Sequence, residues 1–458
     1  MNASHIKIPI CALLALMAWY FTPGSTLLKS GLACFFLIGS LWVSQAIPIV
    51  ATALLVPVMA VTLGVLSPKD ALSSFANPII FLFMGGFALA AALSQQGLDR
   101  ILAESAIKLS GGKKLNAVLM ICGTAAFMSM WISNTATTAM MLPVALGLMR
   151  KALDNQTDRQ ASQSSTAMTA SARSYAFILL ALAYSASIGG IATIIGSPPN
   201  AIAAAETGMT FLDWMYVGLP VALVLLPVML ITLYLTLKPD LKGKIEIQHE
   251  KIVWDKPKVI TLGIFLLTVT LWIFSAPLAS FLNVKGDMDA MIALFAILLL
   301  VISKSVTWNQ IESNGNWGVL LLFGGGITLS EIMKKTEASQ FLASSILEIS
   351  QGIPVFVILI LIIAFVVLLT ELVSNTASAA LLIPIFTVLS PQLDLSPQSI
   401  AAIIAIAASC AFMLPVATPP NAIVFATGHV TQTTMMRCGI WLNIVCIAVI
   451  FMFSSLFR

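Results

Sequence analysis

Charge is what this 458-residue chain has least of. Asp, Glu, Lys and Arg make up 9% of it and hydrophobic residues 59%, whereas a soluble globular domain carries about 25% charged residues. With a mean hydropathy of +1.00, the chain is an integral membrane protein. Alternating segments of about 10 residues, which would mark a β-barrel, are missing. Apolar stretches near 20 residues recur instead, the length that crosses about 30 Å of hydrocarbon. The fold class is therefore all-α and polytopic. The three histidines, His5, His249 and His429, are too scattered for a metal site. The six cysteines, Cys11, Cys34, Cys122, Cys410, Cys438 and Cys446, lie in apolar runs without metal-ligand spacing and read as packing residues. No paired Asp, His-Glu-x-x-His or Ser/His pair lies at membrane depth, which argues against an enzyme. The net charge of +4 follows membrane topology and points to no nucleic acid.

Spans are expected near 7–22, 29–47, 50–66, 78–97, 175–205, 215–237, 258–275, 288–304, 316–333, 398–428 and 437–457. The run after Lys7 ends without a small-residue cleavage site, so it reads as a retained first helix rather than a signal peptide. Stretches 114–149 and 353–390 are too long for one crossing and read as re-entrant hairpins. With a cytoplasmic N-terminus, eleven crossings give an outside C-terminus. All Lys and Arg except Lys29, Lys69, Lys285, Lys334, Lys335 and Arg458 then lie inside, 17 of 23, as the positive-inside rule requires.

Against this apolar background, two polar motifs each occur twice. Ser133-Asn134-Thr135 and Ser374-Asn375-Thr376 sit near the middles of the two hairpins, and Pro143 and Pro384 each follow nine residues after the Asn. Gly196-Ser197-Pro198-Pro199-Asn200 and Ala417-Thr418-Pro419-Pro420-Asn421 interrupt the spans at 175–205 and 398–428. Gly85-Gly86 likewise matches Gly324-Gly325. The offsets are 241, 221 and 239 residues, and the difference comes from a polar loop at about 151–173 that only the first half contains. Matching segments lie an odd number of crossings apart, so the repeats are inverted. Residues 1–28 stand outside them, 29–237 form repeat 1 and 258–457 repeat 2. Broken helices at equivalent places in two halves mark a transporter whose site lies where the repeats meet.

Ser, Asn and Thr favour helix N-caps, and proline suits a first helical turn but not a continuing one. Helix N-termini should therefore begin at both tripeptides and at both double prolines, with Ser197 and Thr418 as caps. Their free N–H groups favour an anion, while carbonyls before each break can hold a hard cation such as sodium. No Arg or Lys lies inside either hairpin or near either double proline. A bound anion must then be neutralised by co-bound sodium, which would couple the two. The glycine pairs can serve helix packing or approach a ligand, with packing favoured. Glu371 is the single acidic residue in the hairpin interiors; it is either functional or a holder of the hairpin through hydrogen bonds. A channel would need a continuous polar pore, whereas the polar residues cluster at one depth.

These four motifs and the chain length resemble the divalent anion:sodium symporter family, most of all its bacterial INDY-type dicarboxylate transporters, over essentially the whole chain. The resemblance implies a homodimer in the bacterial inner membrane and an elevator mechanism. It also implies sodium-coupled uptake of C4-dicarboxylates such as succinate, fumarate and malate. Carried over by motif, one sodium ion would be held by Ser129, Ser133, Asn134 and Gly196, and another by Thr370, Val373, Asn375 and Ala417. The substrate would touch Ser133, Asn134, Thr135, Ser197, Ser374, Asn375, Thr376, Thr418 and Pro419. Dicarboxylate exchangers and sodium-coupled citrate or sulfate transporters share the architecture. The carried unit is expected to comprise both hairpins and both broken helices, with loops at about 98–113 and 334–352 absorbing its movement.

Overall fold

The structure, a computed structural model, describes residues 4–157, 165–243, 254–284 and 286–454. Residues 158–164 of the polar loop lie outside these, as do Arg159, Lys244, Lys251, Lys285 and Arg458 from the charge count.

Helix α1, Ser4–Phe21, precedes the repeats. Repeat 1 runs through α2 (Thr26–Ser44), α3 (Ile49–Thr62), α4 (Pro68–Ser73), α5 (Pro78–Gln95) and α6 (Leu98–Leu109). It continues through α7 (Lys114–Ser129), α8 (Asn134–Thr157), α9 (Ser165–Gly189), α10 (Pro198–Thr207) and α11 (Phe211–Leu237). Repeat 2 contains α12 (Lys256–Ile273), α13 (Ser275–Phe281), α14 (Met288–Ile302), α15 (Trp308–Asn314), α16 (Trp317–Lys335) and α17 (Ala338–Ile349). It ends with α18 (Val355–Leu372), α19 (Asn375–Phe386), α20 (Pro397–Ser409), α21 (Pro419–Phe425) and α22 (Gln432–Ser454). Only α13 has no counterpart in the first half of the described chain. Eight helical stretches among the described residues are long and apolar enough to cross a membrane; α1, α3, α14 and α20 are shorter apolar helices.

Local chemistry explains the helix ends. Asn77, Thr210, Asp255, Thr307, Thr418 and Ser396 each accept a main-chain N–H in the first turn that follows, and Thr210–Asp213 and Thr307–Gln310 form full capping boxes. α18 is dense in β-branched residues, poor helix formers in water. In lipid every peptide group must be bonded within its own segment, so the helix forms regardless. Pro143 and Pro384 lie inside α8 and α19.

The expected loops at 98–113 and 334–352 are largely helical, because each contains an amphipathic 12-residue helix, α6 and α17. The glycine pairs are packing devices. A methyl on Gly85 would stand 2.6 Å from Ala293 Cβ of α14, and one on Gly325 2.6 Å from the Ala53 carbonyl of α3.

Two groups of helices follow from the packing. α2 and α3 pack together, α3 against α16, and α5 against α14, which also meets α12; these form a frame. The hairpins α7–α8 and α18–α19 pack with α9, α10, α20, α11 and α22 as a bundle. Gln96 Nε2 donates to the Ser305 carbonyl at 2.7 Å, so α5 and α14 end on one face, where α16 begins. α6 leads into hairpin 1 on that face, and α17 leads into hairpin 2 on the other.

Candidate functional site

Helices begin where the motifs demand: α8 at Asn134, α19 at Asn375, α10 at Pro198 and α21 at Pro419. Capping alternates between the halves. Ser133 Oγ accepts Ala136 N–H at 3.3 Å and Thr418 Oγ1 accepts Asn421 N–H at 3.3 Å. Ser197 and Ser374 occupy cap positions with no side-chain cap bond, so Ser197 stands where the sequence suggests a cap but does not make the cap bond.

At the tip of hairpin 1, Ser129 ends α7 and its Oγ lies 2.6 Å from the Asn134 side-chain amide. The same amide end lies 3.1 Å from the Ala186 carbonyl and 3.2 Å from the Gly196 carbonyl. Which end of an Asn amide faces inwards follows from its partners. Turned one way, the nitrogen donates to all three oxygens. Turned the other, the amide oxygen faces a hydroxyl and two carbonyls, a close set of oxygens that a cation stabilises. Glycine makes this approach possible: a Cβ on Gly190 would run into the Asn134 amide, and one on Gly196 would stand 2.9 Å from the Ser129 carbonyl. In repeat 2, Thr370 Oγ1 lies 2.7 Å from Asn375 Oδ1 and 2.7 Å from the Ala408 carbonyl. Val373 is extended between α18 and α19.

The unwound segments are held by side chains to which the sequence pattern gave no role. Asn200 Nδ2 donates to the carbonyls of Gly190 (2.8 Å) and Thr193 (2.7 Å). Asn421 Nδ2 donates to Ala411 (3.1 Å) and Leu414 (3.0 Å), the equivalent carbonyls. Both Asn side chains are fully buried. Beyond this pair the halves differ. In repeat 1, Trp214 Nε1 donates to Ile191 O at 2.9 Å, and Thr193 Oγ1 bridges Met130 O and Gly196 N–H. In repeat 2 the work falls to Glu371. Its Oε1 accepts Phe412 N–H (2.7 Å), Met413 N–H (2.9 Å) and Asn443 Nδ2 (2.8 Å), while Oε2 accepts Leu414 N–H (3.1 Å). Of the two readings of this carboxylate, the bonds support the one in which it holds the hairpin, with the unwound segment as its partner.

A cleft of about 150 Å³ reaches the hairpin-1 tip from the face where that hairpin enters. Ser133, Gly196 and Pro198 line it, opposite Phe87 and Ser94 of α5 and Asn316 before α16. Ser133 and Thr135 are exposed and Asn134 is half-buried. The hairpin-2 tripeptide is not on this wall. Ser374 and Asn375 are half-buried and Thr376, Thr370 and Val373 are buried, as are Ser197 and Thr418; Ala417 is half-buried and Pro419 exposed. The halves nevertheless interlock, since α10 packs on α19 and α21 on α8.

Comparison with known proteins agrees with this architecture. The citrate transporter family model matches residues 40–407 and 288–458. An uncharacterised transporter of Haemophilus influenzae is 46% identical over 429 residues, 92% of this chain and 90% of that one. The sodium-dependent dicarboxylate transporter SdcS of Staphylococcus saprophyticus is 33% identical over 438 residues, 90% of this chain and 83% of that one. The solved structure of MtrF from Neisseria gonorrhoeae shares the fold at 13% identity, with a TM-score of 0.54 over 99% of this chain and 95% of that one. By motif, fold and relatives alike, the chain belongs to the citrate transporter family and is a membrane transporter, not an enzyme.

Proposed function

We propose that this transporter imports C4-dicarboxylates such as succinate, fumarate and malate together with sodium ions. The observation that carries the reading is the gathering of Ser129 Oγ and the Ala186 and Gly196 carbonyls around the Asn134 amide. No Lys or Arg occurs within either hairpin interior or beside either double proline. Sodium held there by Ser129, Ser133, Asn134 and Gly196, and in repeat 2 by Thr370, Val373, Asn375 and Ala417, supplies the charge that a dianion needs. The dianion then meets the tripeptide hydroxyls and amides, Ser197 and Thr418, with helix N-termini adding partial positive charge.

In this reading the bundle moves against the frame as a rigid body and the protein works as a homodimer. The positive-inside bias puts the hairpin-1 face, and with it the open cleft, in the cytoplasm. The test is binding and uptake of labelled succinate by proteoliposomes in sodium and in choline. Succinate affinity should rise with sodium, and succinate should tighten sodium binding by the same factor. Equal affinity in both buffers would refute sodium coupling. Uptake in choline driven by internal dicarboxylate would identify an exchanger instead.

A further inference from the structure

Bundle and frame meet along a seam with close apolar contacts: Leu381 against Gly39, Ala380 against Gly326 and Ile195 against Gly86. On the hairpin-2 face, buried carboxylates cross it at two places. Glu206 lies in the last turn of α10 with its side chain 8% exposed; Oε1 is 2.7 Å from Lys334 Nζ of α16 and Oε2 accepts Ser330 Oγ at 2.6 Å. Asp289, in the first turn of α14 and 4% exposed, accepts the N–H of Phe211, the first residue of α11, at 2.7 Å. The Phe211 ring stacks on Trp272 of the frame at 5.0 Å.

Each contact joins a bundle helix to a frame helix, so neither survives a displacement of one group against the other. Removing the partner of a buried charge is costly because the charge stays behind uncompensated. The inverted repeat offers no substitute on the other face. Its offsets put Thr427 in the place of Glu206, Gln95 in that of Lys334 and Val50 in that of Asp289. The cleft, meanwhile, opens on the face away from both contacts.

We propose that Glu206 with Lys334 and Ser330, and Asp289 with the Phe211 N–H, form a one-sided latch. It closes the hairpin-2 face and sets the ratio between the two end states of the transporter. The proposal rests on the bundle displacement described above, and its test needs no substrate. A single cysteine replaces Val319, on the frame wall of the cleft, in a background without the six native cysteines. Its reaction with a membrane-impermeant maleimide is timed in vesicles of each orientation, without sodium or dicarboxylate. Glu206→Gln and Asp289→Asn should each lower the ratio of end states by about tenfold, about 1.4 kcal/mol. The minor state then grows about tenfold, and with it the labelling from the hairpin-2 face of a cysteine placed instead at Leu329, buried here. The exchanged pair Glu206→Lys with Lys334→Glu should restore the ratio. Should the single variants fail to elute as folded protein, Lys334→Met and the exchanged pair decide, since Lys334 is half exposed. Labelling unchanged in Lys334→Met or Glu206→Gln overturns the latch. Shifted labelling in a protein that takes up no succinate keeps the latch and removes the substrate reading.

Discussion

Replacing Glu371 separates the architecture of repeat 2 from that of repeat 1. The carboxylate takes four hydrogen bonds, three from consecutive main-chain N–H groups and one from Asn443. An orphaned buried donor costs about 1–3 kcal/mol. Glu371→Ala strands four of them, a loss of about 4–12 kcal/mol, large beside the roughly 5–15 kcal/mol that holds a typical protein folded. Glu371→Gln keeps the shape and one acceptor oxygen. Its NH₂ group would meet Leu414 N–H donor to donor, and the other bonds would lose their charge, a loss of about 2–3 kcal/mol.

The consequence for function is local. Phe412–Leu414 lead into Ala417 and Thr418, so a slack segment should weaken the proposed second sodium site and spare the first. The assay is thermal unfolding of the purified protein as sodium is titrated, with succinate uptake alongside. Glu371→Gln should melt lower and need more sodium for half-maximal stabilisation and uptake. Glu371→Ala should yield little folded protein. A Glu371→Ala variant with the parent's melting temperature and sodium dependence would refute the reasoning.

Asn134→Ala and Asn375→Ala should each abolish transport while leaving folded protein, and parental uptake by either variant would remove that half from the shared site. A disulfide linking the bundle to the frame should stop uptake until reduced, whereas one within the bundle should be tolerated; full activity with the two groups locked together would exclude a carried unit. Under the proposed displacement, exchanging the conformations of the two repeats would move the cleft to the hairpin-2 face, where Leu329 of α16 takes the place of Ala90. Cysteine at Leu329, buried here, should then react from that face in a Glu206→Gln background, and a cysteine inert there would contradict the exchange.

The spans were legible because hydropathy alone sets them. α6 and α17 escaped that reading for the same reason: Asp99, Arg100, Glu104 and Lys108 give α6 a polar face and no apolar run. The motif residues announced the hairpin tips and helix starts, since caps and prolines act within a few residues of their own position. Glu371 could be seen but not interpreted, because its partners are peptide N–H groups 41–43 residues onward, which no side-chain pattern encodes. Asn200 and Asn421 stood within the quoted motifs, yet their task lies in carbonyls ten residues back. The Glu206–Ser330 contact spans 124 residues and joins helices from different repeats, so only the folded arrangement reveals it.

Inverted repeats constrain shape far more than chemistry. Asn200 and Asn421 do the same work in both halves, because both unwound turns need an amide to collect carbonyls freed from their helices. The N–H groups of those turns are satisfied differently, by the Thr193 hydroxyl in repeat 1 and by the Glu371 carboxylate in repeat 2. A hydroxyl holds one N–H, whereas a carboxylate gathers three and, being charged, holds each more firmly. The half under firmer control is the one whose tripeptide stays off the cleft wall, with Thr376 buried; the half held by neutral groups presents Ser133 to the cleft. Two halves with identical bonding would leave the opposite-facing states equal in energy. In the proposed mechanism, a charged clamp in one half, with the proposed latch on one face, would remove that degeneracy and give the transporter a preferred resting side.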